Sequence, residues 1–491
     1  MTTEKAPKRK FRFHVLGLAH LPVSDYYNSC AFTQKIHKLT EMIMAQGHEV
    51  ILYAGEGSNA PCTELVQTHT LKELRSAFGD KDYKGSEEIG YEWRGQQFHM
   101  DFGNENWLTR AVRHRTIAEI EVRKRPSDFL LLSMGYYHKP IADAVGLFLT
   151  AESGIGYYGS YADFRAFESA ALRQFMRGDE GKKDASDGKH YWRVIPNYYR
   201  LRDFPFVAQP AGDKQGRPYF VFLARLIFRK GLDVAIRTTR QMGARLIIAG
   251  QGGKYDAENH TLTDDCGNTH ELTEDQEFFG FADPQQRAQL LGNAVATFCL
   301  TYFLEPFCGV YVESQLLGTP VIAFDYAAFV ETVEHGRTGF RCHSLNDFVL
   351  AAKRAHLLDR QYIRYRAERL YSTEAVGPLF EKWFQDMYDV YESTLPPPIL
   401  PDGSKAPVGY FKYRSQQEEE AADTVDSYFA LQPVPQTYAV RDADGKVVRI
   451  EKVHETDDNS TAVNLKVPLS GAMASSSSAP QTTQNSSIKA Q

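Results

Sequence analysis

LTYFLEPFCGVYVESQLLGTPVIAF, residues 300–324, combines an apolar run, a carboxylate, a proline and a helix-like segment that ends at a glycine. Pro306 suits the first position of a helix, where its missing N–H is not needed, and Gly318 before a second proline ends the helix. Glu305 then lies beside the helix start and Glu313 on the helix itself. At about 1.5 Å of rise per residue, the eight-residue step between these glutamates corresponds to about 12 Å.

This separation decides what the two carboxylates can do. It exceeds the roughly 5–9.5 Å between the paired carboxylates of glycoside hydrolases, so the two should not act on one bond. The N–H groups of the first helical turn lie between them and, with the helix dipole, attract an anion. A nucleotide-sugar, with hydroxyl groups at both ends and a pyrophosphate in the middle, fits this layout. The alternative is that Glu305 is an ordinary loop carboxylate and Glu313 part of a solvated helix face.

The segment resembles the signature of the retaining, GT-B-fold family 4 glycosyltransferases, the glycosyl transferases group 1. The likeness continues in GTPVIAFDYAAFVETVEHGRTGFRC, residues 318–342, which is similar to the family's GTPVI, E-x-V and G-x-TG-F/Y run. The resemblance implies an α/β protein with two facing Rossmann-like domains and an active site in the cleft between them. It also implies that Glu305 contacts the donor sugar and that Glu313 holds the nucleotide ribose.

Three residues at the predicted helix start complete this group. We expect the N–H groups of Gly309 and Val310 to help bind the pyrophosphate. Cys308 stands where the family usually has glycine, at a point where the donor approaches the backbone.

A second group of charges lies in YFVFLARLIFRKG, residues 219–231. Arg225 and Lys230 bracket the loop after a predicted strand, and the segment is similar to the family's GRL-xxx-KG pattern, with Ala224 in place of the glycine. The resemblance implies that both cations face the donor pyrophosphate. A departing pyrophosphate gains negative charge, which fixed cations and amide dipoles stabilise in a water-poor cleft. Without the Glu305 segment downstream, these would be interpreted as ordinary solvated cations.

The N-terminal half opens with a βαβ pattern whose first strand ends at Gly17, which we expect to lie beside the donor. His20, in the same loop, is either a ligand contact or a surface residue. A later strand, DFLLLSMG, is followed by a predicted loop, residues 135–140, that contains His138. In relatives of this fold a histidine in a comparable loop lies near the transferred sugar, so His138 is a catalytic candidate. The alternative is a histidine satisfied by the backbone.

GIGYYG, residues 154–159, is formally a dinucleotide fingerprint, since it follows a strand-like run and precedes a helix-like one. It comes late in the first half rather than at the first βαβ turn, so we interpret it as a loop on the acceptor side. In the second half, EFFGF resembles the family's F-x-G segment, which implies that the Phe281 backbone meets the nucleotide base. Asp442 and Asp444 resemble a metal-binding DxD motif, but DADG between strand-like runs indicates a turn first.

Domain boundaries follow from changes in composition along the chain. The predicted units are a disordered N-terminus (1–10), an N-terminal Rossmann-like acceptor domain (11–204), a C-terminal donor domain (205–374), a helix crossing back to the first domain (375–394), and a linker with a mostly disordered tail (395–491).

Composition narrows the class of partner. The net charge of −6 argues against a nucleic-acid partner. Six scattered cysteines without ligand spacing indicate reduced thiols, and no apolar run reaches the roughly 18 residues of a membrane span. We therefore expect a cytoplasmic protein without a signal peptide, and peripheral membrane contact stays open.

These features predict a glycosyltransferase that moves a sugar from a nucleotide-sugar co-substrate to an unidentified acceptor, and the resemblance to family 4 implies that it is a retaining enzyme. It should need no other cofactor and no metal ion, because cations and a helix terminus neutralise the leaving group. The oligomeric state is not predicted. Three rivals are a nicotinamide oxidoreductase built on GIGYYG, a catalytically silent sugar-binding or scaffold protein, and a glycosyltransferase acting on nucleic acid.

Overall fold

The computed structural model describes residues 9–27, 30–79, 105–181, 191–395, 437–441 and 447–452. The predicted disordered N-terminus and tail lie largely outside these residues, as do Asp442 and Asp444. Within the described chain, no helix has the length and apolar character that a membrane crossing requires.

The first domain is built on a seven-stranded, all-parallel sheet in the order β3-β2-β1-β4-β5-β6-β7. Strands β4 and β6 are buried along their whole length, as expected for a sheet covered by helices on both faces. The strands are β1 (Arg12–Leu16), β2 (Glu49–Ala54), β3 (Glu64–Gln67), β4 (Phe129–Leu132), β5 (Leu149–Ile155), β6 (Phe164–Phe167) and β7 (Arg193–Val194). The helices are α1 (Ala31–Ala45), α2 (Leu71–Phe78), α3 (Trp107–Glu121), α4 (Gly135–Val145) and α5 (Ala170–Gly181).

The second domain repeats this plan with a six-stranded parallel sheet in the order β13-β9-β8-β14-β15-β16. Its sheet strands are β8 (Tyr219–Leu223), β9 (Arg245–Ala249), β13 (Gln276–Gly280), β14 (Ala296–Cys299), β15 (Val321–Phe324) and β16 (Gly339–Cys342). Its helices are α6 (Leu232–Met242), α7 (Pro284–Gly292), α8 (Gly309–Leu316), α9 (Phe329–Thr332), α10 (Leu345–Arg354) and α11 (Arg360–Tyr371).

Two smaller sheets accompany these domains. After β9, the structure forms an antiparallel sheet of β10 (Lys254–Asp256), β11 (Thr261–Thr263) and β12 (Thr269–Glu271). Near the C-terminus, β17 (Thr437–Arg441) pairs antiparallel with β18 (Val447–Lys452).

Both parallel sheets have the Rossmann strand order, in which the third, second and first strands in sequence precede the fourth, fifth and sixth. In such sheets, the connections from the first and fourth strands diverge to opposite faces, and ligands bind at the crevice this creates. In the first domain the loops at this point follow β1 and β4, and in the second they follow β8 and β14. The second pair contains Arg225, Lys230 and Glu305.

The chain crosses between the domains twice, and the two crossings run side by side. Tyr199 N–H donates to Tyr371 O at 2.8 Å, and Thr373 N–H donates to Tyr199 O at 3.0 Å. Helix α12 (Thr373–Ser393) then returns to the first domain. There Trp383 and Phe384, 1% and 0% exposed, join the core formed by the β-strands of that domain. The expected return helix is therefore part of the first domain's core.

Candidate active site

The loop between β14 and α8 brings Glu305 to Lys230. Lys230 Nζ lies 2.7 Å from Glu305 Oε2, and the two side chains are only 17% and 9% exposed. The residues lie 75 positions apart in sequence, and the structure joins them at the switch point of the second sheet. In this sheltered position, removing one partner would leave the other charge poorly compensated.

Backbone contacts fix the relative position of the two loops. Lys230 ends a 3-10 turn, and the next residue, Gly231, has a φ of 68°. A Cβ at Gly231 would lie 3.0 Å from both Cβ and O of Leu300, so glycine is needed for this close approach. Tyr302 N–H also donates to Arg229 O at 2.8 Å. The ion pair is thus held by packed backbone on both sides.

Helix α8 begins at Gly309, three residues later than the sequence predicts from Pro306. The delay has a local cause, since Cys308 has φ 74° and ψ 88°, which is incompatible with a helix, and Phe307 is 2% exposed in the core. Glu305 therefore lies outside the helix, and the estimate of about 12 Å from helical rise does not apply to its distance from Glu313. Gly309 and Val310 are the first two helical residues, whose N–H groups have no acceptor within the helix.

Tyr199, which the sequence analysis did not single out, lies against this helix start. The side chain is 5% exposed, and a Cβ at Gly309 would lie 3.0 Å from its hydroxyl oxygen. Burial raises the pKa of the Tyr199 phenol well above its usual value, so the hydroxyl stays protonated. Tyr199 comes from the crossing between the domains, which places a hydroxyl of that segment at the first amide of α8.

Glu313 forms an ion pair with Arg287, a residue of α7 that the sequence analysis did not single out. The N-terminal domain adds Lys38, whose Nζ donates to Tyr198 O at 2.9 Å and lies 4.7 Å from the centre of the Tyr199 ring. Burial lowers the pKa of Lys38 to about 8, and the negative charge of Glu313 opposes that shift. Charges from both domains therefore act on one another across the cleft.

Arg225 differs from Lys230. It lies in the same loop after β8, but its side chain is exposed and forms no ion pair within the described part of the chain. Of the two cations predicted to face a pyrophosphate, Lys230 is the one held at Glu305.

Gly17 and His138 meet at the switch point of the first domain. Gly17 N–H donates to Tyr53 O at 2.8 Å, and a Cβ at Gly17 would lie 2.8 Å from that oxygen, so the position has no room for a side chain. His138 lies in the first turn of α4, not in the predicted loop, and is 1% exposed. Its Nε2 lies 3.1 Å from Gly17 O.

This geometry favours the second interpretation of His138, a histidine satisfied by the backbone. Because a carbonyl accepts only, Nε2 carries the proton, and Nδ1 has no partner among the described residues. Burial lowers the pKa of His138 to about 4, so the ring is neutral at pH 7. His20 is also buried, with Nε2 3.6 Å from Cys30 Sγ, and does not lie on the surface.

Phe281 directly follows β13 and is partly exposed. The preceding residue, Gly280, accepts from Gly250 N–H at 2.8 Å through its carbonyl oxygen. Phe281 therefore stands next to the glycine-rich turn after β9, at the carboxyl edge of the second sheet.

The GIGYYG motif is not a dinucleotide turn. Gly154 and Ile155 belong to β5, and the loop after them leads into another strand, β6, without an intervening helix. A dinucleotide fingerprint requires a helix N-terminus at this point to bind the pyrophosphate. The basis for a nicotinamide oxidoreductase is therefore absent from this segment.

A group of side chains able to hold a metal ion lies elsewhere in the described chain. Asp264, Asp265 and Cys266 meet in the turn between β11 and β12. Asp264 already accepts from the backbone N–H groups of Cys266 and Asn268, at 2.9 and 3.0 Å. These hydrogen bonds stabilise the turn and explain why an aspartate is found there without requiring a metal ion.

Comparison with known proteins finds sequence similarity in the second domain. Residues 203–371 match the family model described as "Glycosyl transferases group 1". The glycogen synthase of Mycobacterium tuberculosis is 28% identical over 171 residues, which cover 34% of this chain and 39% of that protein. The GDP-mannose-dependent alpha-(1-6)-phosphatidylinositol monomannoside mannosyltransferase of the same species is 34% identical over 134 residues, 25% of this chain and 34% of that protein. The chain thus spans less than two fifths of the curated relatives it matches.

Solved structures extend the likeness to both domains. Sucrose-phosphate synthase from Thermosynechococcus elongatus has a TM-score of 0.54 at 16% identity, covering 77% of this chain and 99% of that one. AviGT4, a glycosyltransferase involved in avilamycin A biosynthesis, has a TM-score of 0.52 at 14% identity, covering 77% and 98%. The predicted GT-B fold is confirmed by these comparisons.

Proposed function

We propose that this chain, a GT-B protein with a group 1 glycosyltransferase domain, transfers a sugar from a nucleotide-sugar to an acceptor. One observation carries the proposal: the sheltered Lys230–Glu305 ion pair stands at the switch point of the second sheet, in the loop that leads into α8. The names of the two curated relatives, a synthase of glycogen and a GDP-mannose-dependent mannosyltransferase, support the same reaction class.

The donor diphosphate is proposed to bind between Lys230 and the start of α8. The N–H groups of Gly309 and Val310 point out of the helix start, where the macrodipole adds positive potential. Arg225, exposed in the same loop as Lys230, is free to turn towards the phosphates. These groups stabilise the charge that develops as the bond to the sugar breaks, without a metal ion.

Glu305 is proposed to orient the donor sugar and to stabilise positive charge on its ring. In the observed pair, Glu305 neutralises Lys230. A diphosphate that takes over Lys230 would release Glu305 for the sugar. The pair therefore lets binding of the phosphate position the carboxylate for the reaction. Retention at the anomeric carbon is part of the proposal through the resemblance of the Glu305 segment to family 4.

The nucleoside is proposed to lie over the far part of α8. Glu313, fixed by Arg287, would accept hydrogen bonds from the ribose hydroxyls. The Phe281 backbone would face the base. The positive φ at Cys308 turns the backbone just before the helix and so exposes the amides that follow.

The first domain is proposed to complete the site from across the cleft. Gly17 follows β1 at the carboxyl edge of the first sheet, and the donor is proposed to lie beside it. His138 is proposed as a positioning residue that fixes the Gly17 carbonyl through Nε2, since its ring is buried.

The test is a thermal-shift screen of the purified full chain against UDP-, ADP- and GDP-sugars, followed by mass spectrometry of released or transferred sugar. With the donor that stabilises the protein, Lys230→Ala and Glu313→Ala should weaken binding at least tenfold, or about 1.4 kcal/mol. Glu305→Gln should slow turnover by about 10²–10³ with a smaller effect on binding, because it acts mainly in the transition state.

The matched control is Lys353→Ala, which removes an exposed lysine from α10 of the same domain. Its donor affinity and turnover should equal those of the wild type. A panel without a stabilising nucleotide-sugar, or Lys230, Glu305 and Glu313 variants as active as the control, would overturn the proposal.

A further inference from the structure

Three exposed aromatic rings gather around the loop that carries the GIGYYG motif. Tyr136, Tyr158 and Phe175 are 59%, 55% and 44% exposed. The rings of Tyr158 and Phe175 lie 5.5 Å apart, and Tyr136 N–H donates to the carbonyl oxygen of Gly159, the residue after Tyr158. We call these three residues the aromatic platform. The rings of Tyr158, in the loop, and Phe175, on α5, are in contact, and the backbone bond at Gly159 places Tyr136, on α4, beside the loop.

The loop beneath the platform is rigidly held. Glu152 is completely buried, and its carboxylate accepts from Tyr157 Oη at 2.8 Å and from the N–H groups of Tyr161 and Ala162 at 2.6 and 2.7 Å. Tyr157 Oη in turn accepts from Gly135 N–H at 2.9 Å. Burying a carboxylate is costly unless it is fully hydrogen-bonded, as this one is. The structure therefore fixes this loop while its neighbouring tyrosines face solvent, which is the arrangement of a pre-organised binding surface.

The platform belongs to a loop and a helix of the first domain that contact the residue before Glu305. Leu304, the residue before Glu305, packs against a cluster that contains Ile155, Tyr157 and Phe167. Tyr158 follows Tyr157 directly, and Phe175 lies on α5, which contributes Leu172 to the same cluster. Leu304, next to Glu305, thus packs against buried residues of the same loop and helix that carry Tyr158 and Phe175.

The apolar faces and polar edges of these rings indicate which kind of molecule would bind to the platform. Exposed aromatic rings gathered in one place indicate a binding site, and tyrosine combines an apolar face with a polar edge. A sugar ring has the same combination, with C–H groups on its faces and hydroxyls around its rim. Lys139, beside the platform, pairs with Asp143 at 2.6 Å and lies over the Tyr161 ring. A saccharide fits the combination of apolar faces and polar edges.

We propose that the acceptor is a saccharide that stacks on the aromatic platform while its reacting hydroxyl points to the Glu305 loop. This inference rests on the proposed function. In this proposal, the GIGYYG segment contributes Tyr158 to the acceptor-binding surface.

The test uses the full chain with the donor found in the screen and three neutral probes, maltotriose, mannotriose and chitotriose, with phosphatidylinositol vesicles as the lipid alternative. For a trisaccharide that accepts sugar, Tyr158→Ala and Tyr136→Ala should lower transfer relative to donor hydrolysis by about tenfold, through a higher KM for the acceptor. Tyr158→Phe, which keeps the ring, should restore transfer to within about threefold. Tyr255→Ala, which removes a tyrosine that is 36% exposed in the second domain, should match the wild type.

The outcomes separate the two proposals. Transfer to vesicles only, unaltered transfer in both alanine variants, or failure of Tyr158→Phe to restore transfer would overturn the platform while leaving the transferase intact. Absence of donor hydrolysis and transfer in the wild type would overturn the proposed function instead. In that case, trisaccharide binding measured by saturation-transfer NMR still decides the platform, since binding lost in Tyr158→Ala supports it and absent or unchanged binding refutes it.

Discussion

Cys308 shows how one backbone conformation shapes the site. Its φ of 74° lies in the left-handed region, which costs about 1–2 kcal/mol for a residue with a side chain. Glycine, which is usual at this position in the family that the segment resembles, avoids that cost. The strain is stored at the turn between Glu305 and α8, where the proposed donor binds.

We predict that Cys308→Gly is more stable than Cys308→Ala by about 1 kcal/mol, because both lose the thiol and only glycine relieves the backbone. Cys308→Val should be less stable than the alanine variant, since a β-branched residue tolerates a positive φ poorly. Urea unfolding of the three variants measures these differences. Equal stability of the glycine and valine variants would contradict the argument.

At the residue scale, the site residues that could be predicted from the sequence are those that belong to recognisable motifs. Lys230 and Glu305 each belong to a segment with a family pattern, and they meet. Lys38, Tyr199 and Arg287 could not be selected, because each is a common residue whose importance comes from partners that are distant in sequence. Lys38 reaches the site only when α1 packs beside the crossing between the domains.

At the scale of elements, the strands were the easiest to predict. Their short apolar runs are typical of strands buried on both faces. The sequence predicts a loop at residues 135–140, which follow a strand, but the structure begins α4 there although Gly135 and Pro140 are helix-breaking signals. Tertiary packing overrides them, since Ile141 and Val145 are buried on the inner face of that helix. The start of α8 was misplaced for the opposite reason, because Pro306 is a start signal that the burial of Phe307 overrides.

Helix α12 supports an element-scale prediction. Trp383 is 1% exposed in the core of the first domain, and its Nε1 donates to Tyr191 O at 3.2 Å. Trp383→Ala should lower the free energy of unfolding by about 3–5 kcal/mol through the cavity it leaves. Denaturant unfolding checks this value. Lys382→Ala, on the half-exposed face of the same helix, should cost less than about 1 kcal/mol.

At the scale of the whole molecule, a carboxylate of the second domain binds the start of a helix in the first. Glu331 of α9 accepts from the N–H groups of Ala170 and Ala171 at 2.9 and 3.0 Å, at the beginning of α5. The same segment reaches the loop between β14 and α8, since Ala328 N–H donates to Glu305 O at 3.4 Å. Contact between the domains is therefore linked to the position of Glu305.

Removing this contact should loosen the domains. In Glu331→Ala, the amides of Ala170 and Ala171 should exchange with solvent at least tenfold faster, because hydrogen bonds to a charged acceptor contribute about 1.5–3 kcal/mol. Hydrogen–deuterium exchange measures this, and small-angle scattering should show a larger radius of gyration. Asp347→Ala is the control, since Asp347 accepts from two backbone N–H groups within its own domain, at 3.1 and 2.9 Å. Equal exchange in both variants would refute the link.

The return of α12 also sets an order of events during synthesis. The strands of the first domain leave the ribosome early, but the core they form lacks Trp383 and Phe384 until the entire second domain has been translated. The sheet strands and covering helices of the second domain are consecutive in the chain, so this domain can fold as soon as it is synthesised. The first domain still exposes the apolar surface that α12 covers in the folded protein. The half of the protein that is made first is therefore the half that is completed last, and a chaperone acting on the nascent chain would find its binding surface there.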